Sequence, residues 1–505
     1  MKKAGKIMLT IVLLLIGVLF VGLLIILASS PGKLPPLKDE QGKIIQGSIS
    51  EKVWLEVGGI KQGMFIRGEN PQSPVILYLH GGPGNPLLQF ITYLENSERL
   101  EKYFTVCYWD QRGAGMTYSK STDPLTMTVE QMVEDTREVT EYLKLRFGQN
   151  KIYLLGHSWG SYLGIKTIEK YPENYLSYIG MGLTANFVES ERLSYDYMLN
   201  HAKDINDKDV IEKLEKFDPH TEDFPLIPEE GHQLDYLMVR TETLEKYGIG
   251  RLHQGVSFQE ILRTFLVFKG YTLSEKINWF LGSDFSMIHL FPALQKVDLF
   301  VSSVKFEVPF YIIQGIYDYM TSYTLAKEYF DVLEAPKKEF FTFFNSAHSP
   351  NMEEPEEFIK VLYKIALENP QETIGNLIDK QGISFISSVD EHGFPNTKAM
   401  LPPVKREGIK IFYWHTNSPS MRIKHYRNNP KACIYFCDKR FFRGVMLRGT
   451  MEVLDNKKIK KELWKDDFNV YYEGGMDGGD FIILKFTAET GRYYSNYGSE
   501  DFKID

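Results

Sequence analysis

Cysteine is almost missing from this chain. Its 505 residues hold three, Cys107, Cys433 and Cys437, too few for the disulfide frameworks that staple small secreted domains. All three fall in apolar, strand-like runs, where a buried structural thiol is the expected state. Cys433 and Cys437 lie four apart, but no second His/Cys pair accompanies them, so no metal site is expected. Excess positive charge is missing as well: 58 Lys and Arg stand against 66 Asp and Glu, a formal net charge of −8. Without a basic stripe, nucleic acid is not an expected partner. Internal repeats and low-complexity tracts are absent. A content of 43% hydrophobic and 25% charged residues is that of a globular chain rather than a disordered one. At this length a single core does not suffice, and two or three domains are expected.

The longest apolar run comes first. After Lys2, Lys3 and Lys6, an uncharged stretch from Ile7 to Ala28 extends for about 22 residues, enough to cross a hydrocarbon core of about 30 Å as a helix. A secretory signal peptide, the competing reading, usually has a shorter apolar region of about 7–15 residues. A buried soluble helix would keep a polar face, and this run has none. Residues 1–28 therefore read as a single-pass anchor in the cell membrane. Lys33, Lys38 and Lys43 follow on the other side, so the charge bias is small; it favours a cytoplasmic N-terminus and a catalytic part outside the cytoplasm. The Pro-, Gly- and Lys-bearing segment 29–50 reads as a linker lifting the rest off the bilayer.

Strand-like and helical runs then alternate, which predicts an α/β domain over 51–368 with a largely parallel sheet. The clearest strands are Val75–His80, Phe104–Trp109, Lys151–Leu155, Pro309–Gln314 and Glu339–Phe344; the best helix is Thr128–Leu145. From about 187 to 304 the pattern is helical only, as in a cap inserted between two sheet segments. A boundary falls near Asn369–Gln371. Residues 372–505 are β-rich and predict a small barrel.

Gly156-His157-Ser158-Trp159-Gly160 follows the strand KIYLL and opens a helical stretch. This is the strand–turn–helix setting that G-x-S-x-G needs to expose a nucleophilic serine, and it predicts the α/β-hydrolase fold. A serine hydroxyl needs a base, and the base needs an orienting acid. In this fold they follow in the order acid, then histidine. Asp318 lies just past PFYIIQG and His348 just past EFFTFF, so Ser158, Asp318 and His348 are the expected triad. Asp331 is the rival acid, but it reads as solvated and mid-helix. His80-Gly81-Gly82-Pro83-Gly84 follows the strand VILYLH. Such a loop lets a backbone N–H at Gly82 join that of Trp159 in holding an oxyanion.

The segments HGGPG (80–84), WDQRGAG (109–115) and GHSWGS (156–161) together resemble the prolyl iminopeptidase family. The resemblance implies an aminopeptidase that removes N-terminal proline or small apolar residues from short peptides through an acyl-enzyme, with no cofactor or metal. It also leaves open relatives that act on esters and amides. In that family cap carboxylates bind the free amino terminus; Glu229, Glu230, Glu242 and Glu245 are available, and no motif singles one out. Arg112 reads either as part of the site loop or as half of a structural ion pair.

Residues 372–505 resemble the pyridoxamine 5'-phosphate oxidase-like split barrels, and especially their general-stress-protein branch. The carrying segments are Gly393–Met400, Trp414–Asn417 with Ser420–Arg422, and Asn429-Pro430. The resemblance implies FMN as a possible cofactor, its phosphate held by Lys398, Thr416, Ser420 and Arg422, and a homodimer paired through the barrel. Hydroxyls and cations at a helix start suit a phosphate dianion. Lysine at 398 lacks the bidentate fork of arginine. The alternatives are a flavin redox or sensor protein with an accessory hydrolase domain, a barrel kept only for dimerisation, and a catalytically silent tethered binding protein.

Overall fold

The computed structural model describes residues 13, 17, 22, 24–71, 73–88, 99–221, 232–254, 258–368, 370–379, 381–438, 443–495 and 498–504. Most of the Ile7–Ala28 run lies outside the described residues, as do Lys2, Lys3, Lys6, Glu229 and Glu230. Among the described residues no helix is long and apolar enough to cross a membrane, so the expected spanning helix is not among them. The chain divides into two compact units, residues 1–362 and 363–505.

The first unit is built on eight strands: β1 Ile49–Val57, β2 Ile60–Gly68, β3 Val75–Leu79, β4 Thr105–Asp110, β5 Ile152–His157, β6 Tyr175–Met181, β7 Phe310–Gly315 and β8 Lys338–Phe343. Their order is β1-β2-β4-β3-β5-β6-β7-β8. β1, β2 and β4 pair antiparallel, and the pairs from β4 to β8 are parallel. Every residue of β3, β4, β5 and β7 is buried, because helices cover both faces and leave no side of the strand for polar side chains. Helix Val129–Phe147 starts on Thr128, whose side chain accepts from the Gln131 N–H, and stops at Gly148 with φ 63°, a capped start and a glycine stop.

Between β6 and β7 the described residues form helices only: Phe187–Asp204, Lys208–Leu214, His232–Lys246, Phe258–Val267, Leu273–Leu294 and Leu299–Ser302. This is the cap, with its own apolar core around Met198, Leu214 and Leu244. The expected linker differs from a free tether. Leu34, Leu37 and Ile45 are buried, the Lys33 N–H donates to Lys269 O at 3.0 Å, and Pro31 pairs with Thr272 of the cap. The Ser50 hydroxyl donates to Pro35 O at 2.7 Å. Three large apolar side chains gain more from this burial than an extended spacer would give them.

The second unit carries β9 Ser384–Val389, β10 Pro395–Met400, β11 Lys405–Glu407, β12 Ile411–Asn417, β13 Lys431–Asp438, β14 Arg443–Leu454, β15 Phe481–Ser495 and β16 Gly498–Lys503. They form an antiparallel sheet ordered β10-β9-β13-β14-β15-β12-β11, with β16 on β15. Phe412, Trp414, Phe436 and Phe486 fill its core. The Trp414 indole donates to Ser384 Oγ at 3.0 Å and Leu401 O at 3.1 Å. Cys107 is buried as expected, but Cys433 and Cys437 are only half-buried. Both occupy the face of β13 that alternates with the buried Ala432, Ile434 and Phe436.

Candidate active site

β5 ends at His157 and helix Trp159–Lys170 starts two residues on, so Ser158 carries the turn between them. Its φ of 56° and ψ of −122° are a conformation that costs a residue with a side chain about 1–3 kcal/mol. The turn is so tight that a Cβ on Gly160 would lie 2.1 Å from Leu79 O, and one on Gly156 would lie 2.2 Å from Gly160 O. Only glycine fits at either flank. The Ser158 N–H donates to Met181 O at 2.9 Å, and its carbonyl accepts from the Ser161 N–H at 2.8 Å and hydroxyl at 2.6 Å. The backbone on both sides of the hydroxyl is therefore fixed, while the residue stays partly exposed.

Asp318 follows β7 and His348 follows β8. His348 Nδ1 lies 2.8 Å from Asp318 Oδ2. The same carboxylate accepts from Gln314 Nε2 at 2.8 Å, Thr321 Oγ1 at 2.9 Å, and the N–H groups of Met320 at 2.9 Å and Thr321 at 3.0 Å. Burial works to raise this carboxyl, but facing His348 and the donors hold it below the ordinary carboxylate range. An ionised acceptor at Oδ2 sets the His348 tautomer with its proton on Nδ1, leaving Nε2 as the basic nitrogen. Asp331 is exposed on helix Tyr323–Val332.

Three contacts place His348 against residues adjoining the serine's turn. The His157 ring lies 4.8 Å from the His348 ring, and its Nε2 donates to His348 O at 2.9 Å. A Cβ on Gly182, next to the Met181 that accepts from Ser158, would lie 2.7 Å from His348 Cε1. Burial, with neighbouring His348 adding to it, pushes His157 down to about 3. It is neutral and acts as a spacer.

The glycine loop closes the other side. A Cβ on Gly81 would lie 3.0 Å from Ser158 Cβ and 3.6 Å from its Oγ, so backbone rather than side chain faces the hydroxyl. Gly82 has φ 113°. Trp159 stands at the first helical position, where its N–H has no partner within the helix. One set of hydrogen bonds joins the three motifs. Trp159 Nε1 donates to Gln111 Oε1 at 3.1 Å; Gln111 Nε2 donates to His80 O at 3.1 Å; the Gln111 N–H donates to His80 Nε2 at 3.2 Å; and His80 Nδ1 donates to Gly81 O at 2.9 Å. Burial pushes His80 down to about 4, and only a neutral ring can donate and accept in this way. Gln111 had no role in the sequence reading; its place inside DQRG was the available signal.

Arg112 makes two bonds to Asp135, at 2.7 and 3.0 Å, and one to Gly58 O at 2.7 Å, with both charges buried. Of its two readings, the structural ion pair holds. Helix Leu273–Leu294 roofs the glycine loop: Ser283 Oγ donates to Asn85 Oδ1 at 2.7 Å, Trp279 Nε1 to Pro86 O at 3.3 Å, and Ser286 Oγ to Gly113 O at 3.0 Å. Elsewhere the cap holds the loops of Asp318 and His348 directly. The Tyr319 N–H donates to Ile249 O at 3.1 Å and the His348 N–H to Gly250 O at 3.2 Å. Glu353, also missed from sequence, accepts from the N–H groups of His253 at 2.6 Å, Gln254 at 3.0 Å and Ala347 at 2.7 Å. Of the nominated cap acids, Glu242 is exposed and Glu245 faces Arg251 at 3.5 Å. The buried cap carboxylates Glu191 and Glu275 are matched by Arg240 at 2.5 Å and Lys52 at 2.6 Å.

In the second unit Thr416 lies near the end of β12, Ser420 caps helix Met421–Asn428, and Arg422 stands in its first turn. Arg422 is half-buried against the Met400 sulfur, and burial holds its guanidinium below the ordinary range. It makes no ion pair among the described residues. Lys398 is exposed two residues before Met400 on β10, on the same face of that strand. A desolvated cation in no ion pair among the described residues, with two hydroxyls close in sequence and a second cation on the strand that carries Met400, fits a phosphate.

The alpha/beta hydrolase fold family matches residues 74–355, and the chain belongs to that family. Residues 370–495 match the pyridoxamine 5'-phosphate oxidase family, whose split barrel the second unit shares. The chain is 32% identical over 322 residues to a probable aminopeptidase, YbaC, of Bacillus subtilis, covering 63% of this chain and 97% of that protein. It is 25% identical over 315 residues to a proline iminopeptidase of Heyndrickxia coagulans, covering 61% and 96% respectively. A solved Clostridium acetobutylicum protein related to general stress protein 26 of Bacillus subtilis is 38% identical, covering 27% of this chain and 96% of that one with a TM-score of 0.26.

Proposed function

We propose that the first unit is a serine aminopeptidase releasing N-terminal proline or small apolar residues from short peptides through an acyl-enzyme on Ser158. The reading rests on the Asp318–His348 pair at 2.8 Å, set beside a serine held at φ 56°. His348 Nε2 takes the Ser158 proton as Oγ attacks the carbonyl carbon, and the N–H groups of Gly82 and Trp159 receive the developing oxyanion. The same ring hands its proton to the leaving amine, then deprotonates the water that frees the acyl group. Asp318 stays ionised and stabilises the imidazolium.

The relatives named as aminopeptidases support a peptide substrate. One observation favours a second reading, an ester or amide hydrolase: Glu191 and Glu275 are already matched by cations and do not offer a free carboxylate to a substrate amine. Prolyl-anilide turnover tests both. Activity in wild type and none in Ser158→Ala supports the aminopeptidase. An inactive wild type that still reacts with a fluorophosphonate probe retires the peptidase and keeps the hydrolase; no labelling retires both.

The second unit is read as an FMN-binding barrel that pairs as a homodimer, with Lys398, Thr416, Ser420 and Arg422 on the phosphate. Bound FMN would supply electron-transfer chemistry, the basis of the alternative reading as a redox or sensor protein. Residues 7–28 are read as a membrane anchor with the catalytic unit outside the cytoplasm, on the strength of their length and lack of charge.

A further inference from the structure

Helix Leu273–Leu294 has two engaged faces and one bare one. Gly282, Ser283 and Ser286 lie on the loops of the active site: a Cβ on Gly282 would come within 2.7 Å of Gly113 O, and one on Gly84 within 2.7 Å of Ser286 Cβ. The start of the helix holds the N-terminal segment. Thr272 pairs with Pro31, and Lys276 Nζ donates to Ser29 O at 3.2 Å and Leu266 O at 2.6 Å. On the remaining face Ile277 is 53% exposed, Phe280 51% and Leu281 40%, at the spacing of one helical stripe; exposed Asp284 interrupts it, and Ile288, 69% exposed, continues it one turn further. Phe265 packs on Trp279 and Phe280, 5.2 Å from each ring. That contact places helix Phe258–Val267 alongside and adds exposed Leu262 and Val267.

An exposed apolar stripe of this kind marks a contact with something apolar. The chain itself indicates what covers it. Ser29, bonded to Lys276, is the first residue after the Ile7–Ala28 run, and Leu24, Ile25 and Leu27 just before it are exposed too. Arg263 adjoins Leu262, and Lys269 is joined to Lys33 through the backbone; all three cations are exposed, as suits a surface meeting anionic head groups.

We propose that the cap face of Leu262, Val267, Ile277, Phe280 and Leu281 lies on the lipid surface, so that helix Leu273–Leu294 stands between the bilayer and the glycine loop. This rests on the reading of residues 7–28 as an anchor and adds an orientation to it: the chain leaves the bilayer at Ser29, and the cap rather than the far side of the sheet meets the membrane.

Nitroxide labels on the full-length chain in phosphatidylcholine–phosphatidylglycerol vesicles test it. With Cys433→Ser and Cys437→Ser in place, single labels go on Leu13→Cys, Phe280→Cys and Leu145→Cys. Leu145 is 85% exposed on helix Val129–Phe147 and serves as the aqueous reference. Collision with oxygen against an aqueous nickel chelate reads the depth of each. The expected result is that labels at 13 and 280 are both shielded from nickel and open to oxygen, while that at 145 is open to nickel. An immersed 13 with 280 as open to nickel as 145 overturns the proposal and leaves the anchor standing. A label at 13 open to nickel overturns both. Ile277→Cys repeats the measurement without disturbing the Phe265 contact.

Discussion

The indole Nε1 of Trp159 donates to Oε1 of Gln111 at 3.1 Å, across 48 residues of sequence. Through its other amide atom Gln111 holds the His80 carbonyl, so one side chain sets the glycine loop and the elbow relative to each other. Replacing it with leucine keeps most of the volume and strands both partners, at about 1–3 kcal/mol for each buried group left unpaired. Since each 1.4 kcal/mol is a factor of ten in rate, we expect Gln111→Leu to lower kcat about ten- to hundredfold. KM should change less, and circular dichroism should be unaltered. An unchanged kcat removes Gln111 from the positioning of the site.

Asp318→Asn leaves the shape of the triad but not its charge. The amide would turn a donor towards Gln314, Met320 or Thr321, all of which already donate, or towards His348. Hydrolysis of an activated ester should fall by roughly 10³–10⁴, with labelling by a fluorophosphonate slowed in parallel.

Two glycines separate close packing from backbone conformation. Gly160→Ala drives a Cβ to 2.1 Å from Leu79 O, where backbone on both sides leaves nothing to move. The first unit should lose about 3 kcal/mol or more, or fail to fold. Gly148→Ala meets nothing within 4 Å and suffers only its φ of 63°, worth about 1 kcal/mol. Urea denaturation should rank the two in that order.

His157 gives stability a pH dependence whose sign is fixed. Its folded value of about 3 lies below the unfolded value of about 6.5, so the unfolded chain binds the extra proton between those limits. Stability therefore falls as pH drops below about 6.5. His80, folded at about 4, acts in the same direction. Asp110, raised by burial to about 7, acts in the opposite one. Comparing wild type with His157→Gln isolates the first: between about pH 6 and 4 the difference should move in favour of the variant by about 1.4 kcal/mol per pH unit.

In the second unit Arg422→Ala should weaken FMN binding about ten- to hundredfold, as loss of a charge-assisted phosphate contact does, without altering hydrolysis. Quenching of flavin fluorescence on titration measures it. Equal affinity in the variant removes Arg422 from the phosphate.

The placement of Ser158, Asp318 and His348 just past strands β5, β7 and β8 was legible because each follows an apolar run that reads as strand. The elbow glycines announce a close approach whatever lies around them. The β1–β2 hairpin was not legible: β1 mixes Glu and Lys with apolar residues along a half-exposed strand, leaving little period. β10, Pro395–Met400, is an exposed strand at one end of the sheet order, with no burial to imprint a pattern. The burial of Leu34 depends on a partner more than 200 residues away: a Cβ on Gly270 would lie 3.0 Å from Leu34 Cδ2. Glu353 and Gln111 are ordinary polar residues by type, and their roles arise only where loops meet.

The tip of the β1–β2 hairpin is fastened by residues made much later. The Gly58 N–H donates to Glu138 Oε2 at 3.0 Å, 80 residues further along, and its carbonyl accepts from Arg112, 54 residues along. At about 5–20 residues per second of synthesis, the first strands to leave the ribosome wait several seconds before their fastening exists. The order of manufacture is thus the reverse of the order of locking. A nascent chain stalled before Val129 should carry a hairpin whose amides exchange freely, and protection should arrive there only once the helix that bears Asp135 and Glu138 has emerged.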